Sequence, residues 1–500
     1  MYCRTTFATL LFAIGPVETA LGQWPPAISY PEPLNSCAAT DGPGPTDDWE
    51  WAPWLTTDGT GTWVGVWDSK DDLDGTIGSD YDILIRRSTD EGANWTPEQA
   101  LNSNAATGGG GNCCTATDGN GNWVAVWPAA LGGEFGTDVD IVVSQSTDNG
   151  TTWTDRSPLN NNAASDSNDD MHPRIATDGT GNWIAAWMTE PDLPGDQEED
   201  LLIARSTDNG ATWATPIPLN TNAASDTGGD YLAVLAPDGL GNWVAVWYSD
   251  EQYIGEPPGN DIGTDCDILF SCSTDNGVTW TEPSVLNTNA ASDTGEDKHP
   301  WVATDSAGNW VTVWWSSDDL SGTVGTDEDI LFSRSIDNGT TWTSPAPLNT
   351  YAGTDSGYDG YPRVVVEGLD NWLTVWGSTY NLGGTIGTDT DLLLANSTNN
   401  GLTWGTPIVL NTNATADSGG DQGSRLACDN DGHCVVIWLS SDTLGGTIGE
   451  DLDVLVARLD FGPQEAIPTV SEWGMIAMTL LGLTAGTLLY ARRCGRRVTD

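Results

Sequence analysis

Apolar and polar positions alternate along the chain in short runs, and aspartate–glycine turns separate the runs. HPRIATDGTGNWIAAW (172–187) and KHPWVATDSAGNWVTVW (298–314) each read as an extended segment, a turn, and a second segment in which Trp, Val and Ala alternate. Alternation with period two argues strands, and the aspartate and glycine between them suit a hairpin turn. Versions of this pair end at Trp67, Trp127, Trp187, Trp247, Trp314, Trp376 and Trp438. A third strand begins at Asp82, Asp140, Asp200, Asp267, Asp329, Asp391 and Asp453. A fourth carries a Leu-Asn step, as at Pro158-Leu159-Asn160 and Val409-Leu410-Asn411. The pattern predicts an all-β array of one repeated, four-stranded unit.

Between the third and fourth strands lies a fixed phrase. It reads STDEGANW at Ser88, STDNGTTW at Ser146, STDNGATW at Ser206, STDNGVTW at Ser273, SIDNGTTW at Ser335 and STNNGLTW at Ser397. The aspartate can accept backbone N–H groups two or three residues on. Glycines such as Gly150 and Gly277 supply the positive φ of a tight turn, and the Trp is expected to fold back onto the sheet. This S-x-D-x-G-x-x-W pattern resembles the Asp-box, or BNR repeat, of sialidase-like β-propellers; only Asn399 departs from it. The resemblance implies a propeller and a structural box that lies away from the ligand face, so none of these residues is assigned to chemistry.

The seventh unit (424–460) has neither a box nor a fourth strand, whereas Pro33-Leu34-Asn35 stands near the N-terminus without strands of its own. The economical arrangement is a seven-bladed β-propeller closed by that N-terminal strand, which removes exposed sheet edges at the seam. Sialidases usually have six blades. Residues 25–460 are expected to form the propeller.

Composition narrows the partners. There are 72 Asp plus Glu against 16 Lys plus Arg, a net charge of −56, which disfavours nucleic acid because a phosphate backbone needs a basic surface. Disorder is excluded by 26 Trp and the regular apolar alternation. Residues 1–22, with Arg4, an apolar run over 7–14, Ala20 and Gly22, read as an export signal. Residues 474–491 carry no charge and precede Arg492, Arg493, Arg496 and Arg497, the signature of a transmembrane helix with a cytoplasmic basic end. The preceding IPTVSEWG (467–474) resembles the IPTL-type C-terminal sorting signal of Gram-negative bacteria, which implies export, envelope anchoring through residues 461–500 and a sorting peptidase as partner. An ordinary single-span anchor gives the same location. Outside the two ends there are seven Cys; Cys428 and Cys434 flank a turn and could pair in an oxidising compartment. No zinc-type cysteine spacing occurs.

Candidate chemistry lies in two places. Strand 2–3 loops end in D-x-D (Asp80 and Asp82, Asp138 and Asp140, Asp265 and Asp267, Asp327 and Asp329, Asp389 and Asp391, Asp451 and Asp453). Blade-to-blade loops carry Asp166 and Asp170, Asp226 and Asp230, Asp293 and Asp297, Asp355 and Asp359, and Asp417 and Asp421. Both loops belong to one face of a propeller. Carboxylates at i, i+2 of extended chain point the same way, and a neighbouring loop with two more offers roughly the 6–8 oxygens that Ca²⁺ takes. Calcium on this face, and through it a glycan or protein ligand, is the favoured expectation. Ordinary solvated turn aspartates are the alternative.

The second place is the innermost strand, where Arg174, Arg363 and Arg425 share one repeat position with Trp54, Cys114, Val234 and Trp301. Exo-sialidases hold a substrate carboxylate with three arginines, so the resemblance implies a divergent glycoside hydrolase as the alternative to a non-catalytic binding module. Two departures stand against it. No R-I-P arginine precedes the first box, and the only tyrosine after Arg425 is Tyr490, inside the apolar span. Arginines in so acidic a chain are expected to pair with carboxylates, and His172 and His299 to pack or hydrogen-bond. A purely structural surface protein is the third reading.

Overall fold

The structure, a computed structural model, describes residues 24–461 apart from 37, 39–49, 74–75, 78–80, 103–110, 131–137, 166, 191–197, 224–227, 255–259, 368–370, 430 and 450. The export segment, the sorting motif, the apolar span, Asp166 and Asp226 therefore lie outside the described residues. Among the described residues no helix is long and apolar enough to cross a membrane.

Seven antiparallel sheets follow one another along the chain. The innermost strands of blades 1 to 7 are Trp51–Thr57, Cys114–Thr117, Asp170–Thr177, Asp230–Pro237, Asp297–Thr304, Asp359–Val366 and Asp421–Cys428. Each touches the next, and the last touches the first, so the ring is closed. The seam is made as the Leu-Asn step requires. Glu32–Pro33 pairs with the third strand of blade 7, Pro33 opposite Leu455, and Ala27–Ile28 extends the same edge. The outermost strands are only two residues long, such as Ser284–Val285, and blade 4 carries an extra hairpin between Tyr253–Ile254 and Asn260–Asp261.

Trp and Asn set the packing. The second strand of blades 1 to 6 carries two tryptophans four residues apart, as at Trp310 and Trp314, and all twelve are fully buried. In blade 7 Cys434 replaces the first of the pair, leaving Trp438 alone. Truncating one such side chain in a close-packed core costs about 3–5 kcal/mol. The box tryptophans fold back onto the sheets as expected: Trp153, Trp280 and Trp342 are half-buried and pack against the core.

The Leu-Asn asparagine is a buried staple. Asn287 donates to Asp267 at 2.6 Å and to Asp297 at 2.7 Å, and it accepts the Ile268 N–H at 2.9 Å. One amide thus joins the third strand of a blade to the first strand of the next. Asn349 and Asn411 repeat these contacts. At the seam Asn35 donates to Asp453 at 2.7 Å and accepts from Val454 N–H, so the N-terminal segment supplies what blade 7 lacks. Cys428 and Cys434 form a disulfide across the inner hairpin of blade 7.

Candidate functional site

The box turns and the strand 1–2 turns meet on one face, where Asn149 N–H donates to Gly121 O and Asn276 N–H to Gly241 O, each at 3.0 Å. Inside a box the aspartate is satisfied. Asp148 accepts from the Thr152 hydroxyl at 2.7 Å, from Thr152 N–H at 2.8 Å and from the Ser146 hydroxyl. Those donors, the Thr152 pair foremost, hold its carboxyl down at about 2. Asn399 accepts from Thr403 N–H in the same way, so the neutral amide keeps the turn in the one departing copy.

The opposite face gathers three identical acidic triads. Asp265, Asp267 and Asp293 belong to blade 4, Asp327, Asp329 and Asp355 to blade 5, and Asp389, Asp391 and Asp417 to blade 6. In each triad one carboxylate oxygen per residue lies within 4.8 Å of the others. Local backbone explains the convergence. Gly325 N–H donates to Ala352 O at 3.0 Å and Gly387 N–H to Ala414 O at 3.1 Å, which draws the two loops together. A Cβ on Gly325 would lie 2.0 Å from Asp327 Oδ1, and one on Gly387 2.1 Å from Asp389 Oδ1. Only glycine lets the following carboxylate fold over the loop.

These carboxylates are only half satisfied: Asn287, Asn349 and Asn411 donate to one oxygen of Asp267, Asp329 and Asp391, and among the described residues other oxygens of the triads meet no donor. Asp265 Oδ2, Asp267 Oδ2 and Asp293 Oδ1 are buried without a hydrogen-bond partner, and so are Asp327 Oδ2, Asp329 Oδ2, both oxygens of Asp355, Asp389 Oδ2, Asp391 Oδ2 and Asp417 Oδ1. Asp267 is fully buried and Asp329 and Asp391 nearly so. Burial first, and neighbouring carboxylates second, push Asp267 up to about 8, Asp293 and Asp329 to about 7, and Asp355 to about 6. Asp391 rises to about 6, mainly by burial, and Asp417 to about 7. An unpaired buried carboxylate is costly. Such a group takes up either a proton or a cation. Three hard oxygen donors in an irregular loop site suit a divalent cation such as calcium, with carbonyls and water completing the shell.

The other aspartates named as candidate ligands stand apart from the triads. Asp297 accepts from Trp314 Nε1 at 2.8 Å and Asn287, and Asp359 from Trp376 Nε1 at 3.1 Å and Asn349. Asp230 accepts from Trp247 Nε1 at 2.7 Å and Asn220 at 2.7 Å, and Asp170 from Asn160 at 3.0 Å. They close the blade junction. The sequence carries a signal for this role, because each such asparagine stands ten residues before the first-strand aspartate. Conversely Asp417, a loop residue, completes the blade 6 triad.

At the axis Arg174, Arg363 and Arg425 do converge, but not on carboxylates. Among the described residues none of the three makes an ion pair. Arg363 stacks 4.4 Å from the Trp301 ring, and Arg174 and Arg425 each 5.1 Å from Trp54. Arg425 also lies 5.6 Å from Trp301, and the two tryptophans, from blades 1 and 5, are 5.6 Å apart. Each guanidinium folds back onto the carbonyl before it: Pro173 O at 2.9 Å, Pro362 O at 2.7 Å and Ser424 O at 3.0 Å. Arg174 also reaches Cys114 Sγ at 3.2 Å, and all three Nε atoms are buried without partners. Burial and then mutual repulsion hold Arg363 well below the usual range and Arg425 down at about 9.

Above this layer six of the seven innermost strands bulge, through the positive-φ residues Ala52, His172, Leu232, His299, Tyr361 and Gly423, and Asn112 takes the same conformation just before the strand of blade 2. Six are not glycine, and such strain concentrates at functional sites and bulges. His299 packs 4.7 Å from the Tyr361 ring and 5.6 Å from Tyr248, and burial with the nearby arginines drops it to about 3. It is a neutral imidazole. Sequence reasoning missed Tyr361 because a tyrosine was sought after Arg425 rather than beside Arg363.

The comparisons place the chain. Residues 121–414 match the BNR repeat-like domain, more than half of the sequence. The chain belongs to the BNR repeat-like family, on a seven-bladed propeller. Among solved structures it is similar to a Hadza microbial sialidase at 17% identity and TM-score 0.41, covering 65% of this chain and 63% of that one. It is also similar to an ulvan lyase (14%, TM-score 0.48, covering 78% and 91%) and to an arabinofuranosidase of Fusarium graminearum bound to arabinobiose (14%, TM-score 0.43, covering 66% and 88%). No curated protein sequence matches significantly.

Proposed function

We propose that this chain is an exported, envelope-anchored binding propeller of a Gram-negative bacterium, without catalytic activity. Its acidic face loads calcium and, through it, holds a glycan or protein ligand. The observation that carries this reading is the triad repeated on three consecutive blades, each with buried carboxylate oxygens that have no donor. The N-terminal signal, the IPTVSEWG motif, the apolar stretch 474–491 and the four terminal arginines support export and processing by a sorting peptidase. Calorimetric titration with Ca²⁺, paired with melting curves, tests the cation. Heat of binding and a raised melting temperature are expected; neither one appearing would remove the reading.

A divergent glycoside hydrolase is the second reading, favoured by three arginines, Arg363 buried and Arg174 and Arg425 half-buried, that among the described residues lack a carboxylate partner. Against it, no hydrogen bond joins Tyr361 to a carboxylate or imidazole among the described residues. Release of fluorophore from a sialoside panel, lost in Arg174→Ala and Arg425→Ala, would establish hydrolysis. Failure of the native chain on every panel member retires it.

A further inference from the structure

The acidic face also holds a cavity of about 660 Å³, inside the roughly 300–1,000 Å³ range of ligand pockets. It lies between the loop leaving blade 4 and the strand 2–3 loop of blade 5, and the short outer strand Ala346–Pro347 closes one side. Much of its wall is short hydroxyl side chains, among them Thr288, Ser292 and Thr323, with Asp318 and Asp319 beside them. Pro345 and Pro347 give it one apolar side. Asp293 lines the cavity and is also a member of the blade 4 triad, so cavity and triad share a residue and adjoin. The triad has a further pointer to a ligand: Asp267 is fully buried, and its Oδ2 meets no donor.

From this geometry we infer that the cavity is a saccharide site, in which ring hydroxyls complete the coordination of a cation held by Asp265, Asp267 and Asp293. The inference rests on the calcium reading above. A sugar offers hydroxyls that donate to carboxylates, accept from Ser and Thr, and act in adjacent pairs as oxygen ligands for calcium. Its C–H face suits the proline side. An apolar ligand would strand the hydroxyls, and a peptide would need a row of backbone partners that this wall of side chains does not supply. Asp318 and Asp319 repel an anionic sugar. The ligand class is therefore a neutral sugar with adjacent free hydroxyls, unlike the acidic sugar that the sialidase resemblance implies.

The test titrates the full chain with mannobiose, galactobiose, cellobiose and sialyl-lactose, with calcium or with EDTA. Ser344 is exposed on the cavity rim and makes no contact with the triad, so Ser344→Trp blocks the cavity and leaves the cation ligands intact. The expected result is binding of at least one neutral sugar, weakened about tenfold or more by EDTA and by Ser344→Trp, while the calcium heat of that variant is unchanged. Should Ser344→Trp lose its calcium heat through misfolding, Thr294→Trp, also exposed on the rim, replaces it. Calcium heat without any neutral-sugar binding overturns this inference alone. So does sugar binding that survives EDTA or the blocked rim, or a preference for sialyl-lactose. Absence of calcium heat overturns the cation reading with it.

Discussion

The two faces of the ring use the same residue in opposite ways. On the box face Asp148 sits nearly in solvent and is surrounded by donors, which hold it ionised down to about 2. On the rim Asp267 and Asp329 are buried, share their sites with further carboxylates, and are pushed up to about 8 and about 7. A satisfied aspartate is a turn device. An unsatisfied cluster of them stores a cost that a bound cation would relieve. Aspartate count alone cannot separate the two; the supply of N–H and hydroxyl donors can.

The largest contrast should come from neutralising the rim. Asp267→Asn, Asp329→Asn and Asp391→Asn together are expected to abolish calcium-induced stabilisation and to raise the melting temperature of the cation-free protein. Each filled site contributes about 2.7 kcal/mol at a hundredfold excess over its Kd, so differential scanning calorimetry in calcium and in EDTA resolves the effect. An unchanged calcium response would break the comparison.

Next come two glycines, one from each face. A Cβ on Gly277 in the box would lie 2.1 Å from Ile184 Cδ1 at a φ of +72°, against a fully buried side chain. Gly277→Ala should cost about 1–3 kcal/mol and leave calcium binding alone. Gly325→Ala displaces only the end of Asp327, so it should weaken calcium binding at blade 5 with little loss of stability. Denaturant melts beside calcium titrations distinguish the two, and a reversed pattern would refute the division of labour.

The pH dependence should show two limbs. Burial and neighbouring carboxylates push Asp267, Asp293, Asp329, Asp355, Asp391 and Asp417 up to between about 6 and about 8, above the ordinary aspartate value of 3.8. In EDTA their contribution is therefore full below 3.8 and is lost as pH rises through that window. Asp148 is depressed, so its contribution is present above 3.8 and is lost as pH falls towards about 2. Melting temperature in EDTA should fall on both sides of a mildly acidic maximum, and calcium should lift the neutral limb. A cation-free maximum at neutral pH would contradict the assignment.

The smallest effect belongs to Asp148→Asn. Asn399 already makes the same backbone contacts in its own box, so a change within about 0.5 kcal/mol is expected, measured by chemical denaturation.

Much of this architecture was legible because it is local. Tryptophan spacing, turn glycines and the stray Pro33-Leu34-Asn35 pointed to seven blades and to the seam, and Asn35 fills the place of Asn287 in its own junction. The D-x-D pairs and loop aspartates gave all three triads. What stayed hidden depends on neighbours around the axis. The arginines were expected to find carboxylates, but they lie one layer below the acidic rim, against Trp54 and Trp301. The recurrence of Trp and Arg at one repeat position was the available hint. The bulges at His172 and His299 carry positive φ without glycine, so no turn chemistry announced them. Asp297 and Asp359 looked like ligands because their role is set by an asparagine ten residues away in sequence and a tryptophan on the adjoining strand.

Native mass spectrometry of the calcium-loaded chain tests the central claim most directly. The account predicts at least three retained calcium ions, with one lost in each of Asp267→Asn, Asp329→Asn and Asp391→Asn and none lost in Asp148→Asn. A chain that retains no calcium, or whose rim variants retain as much as the native protein, would contradict it.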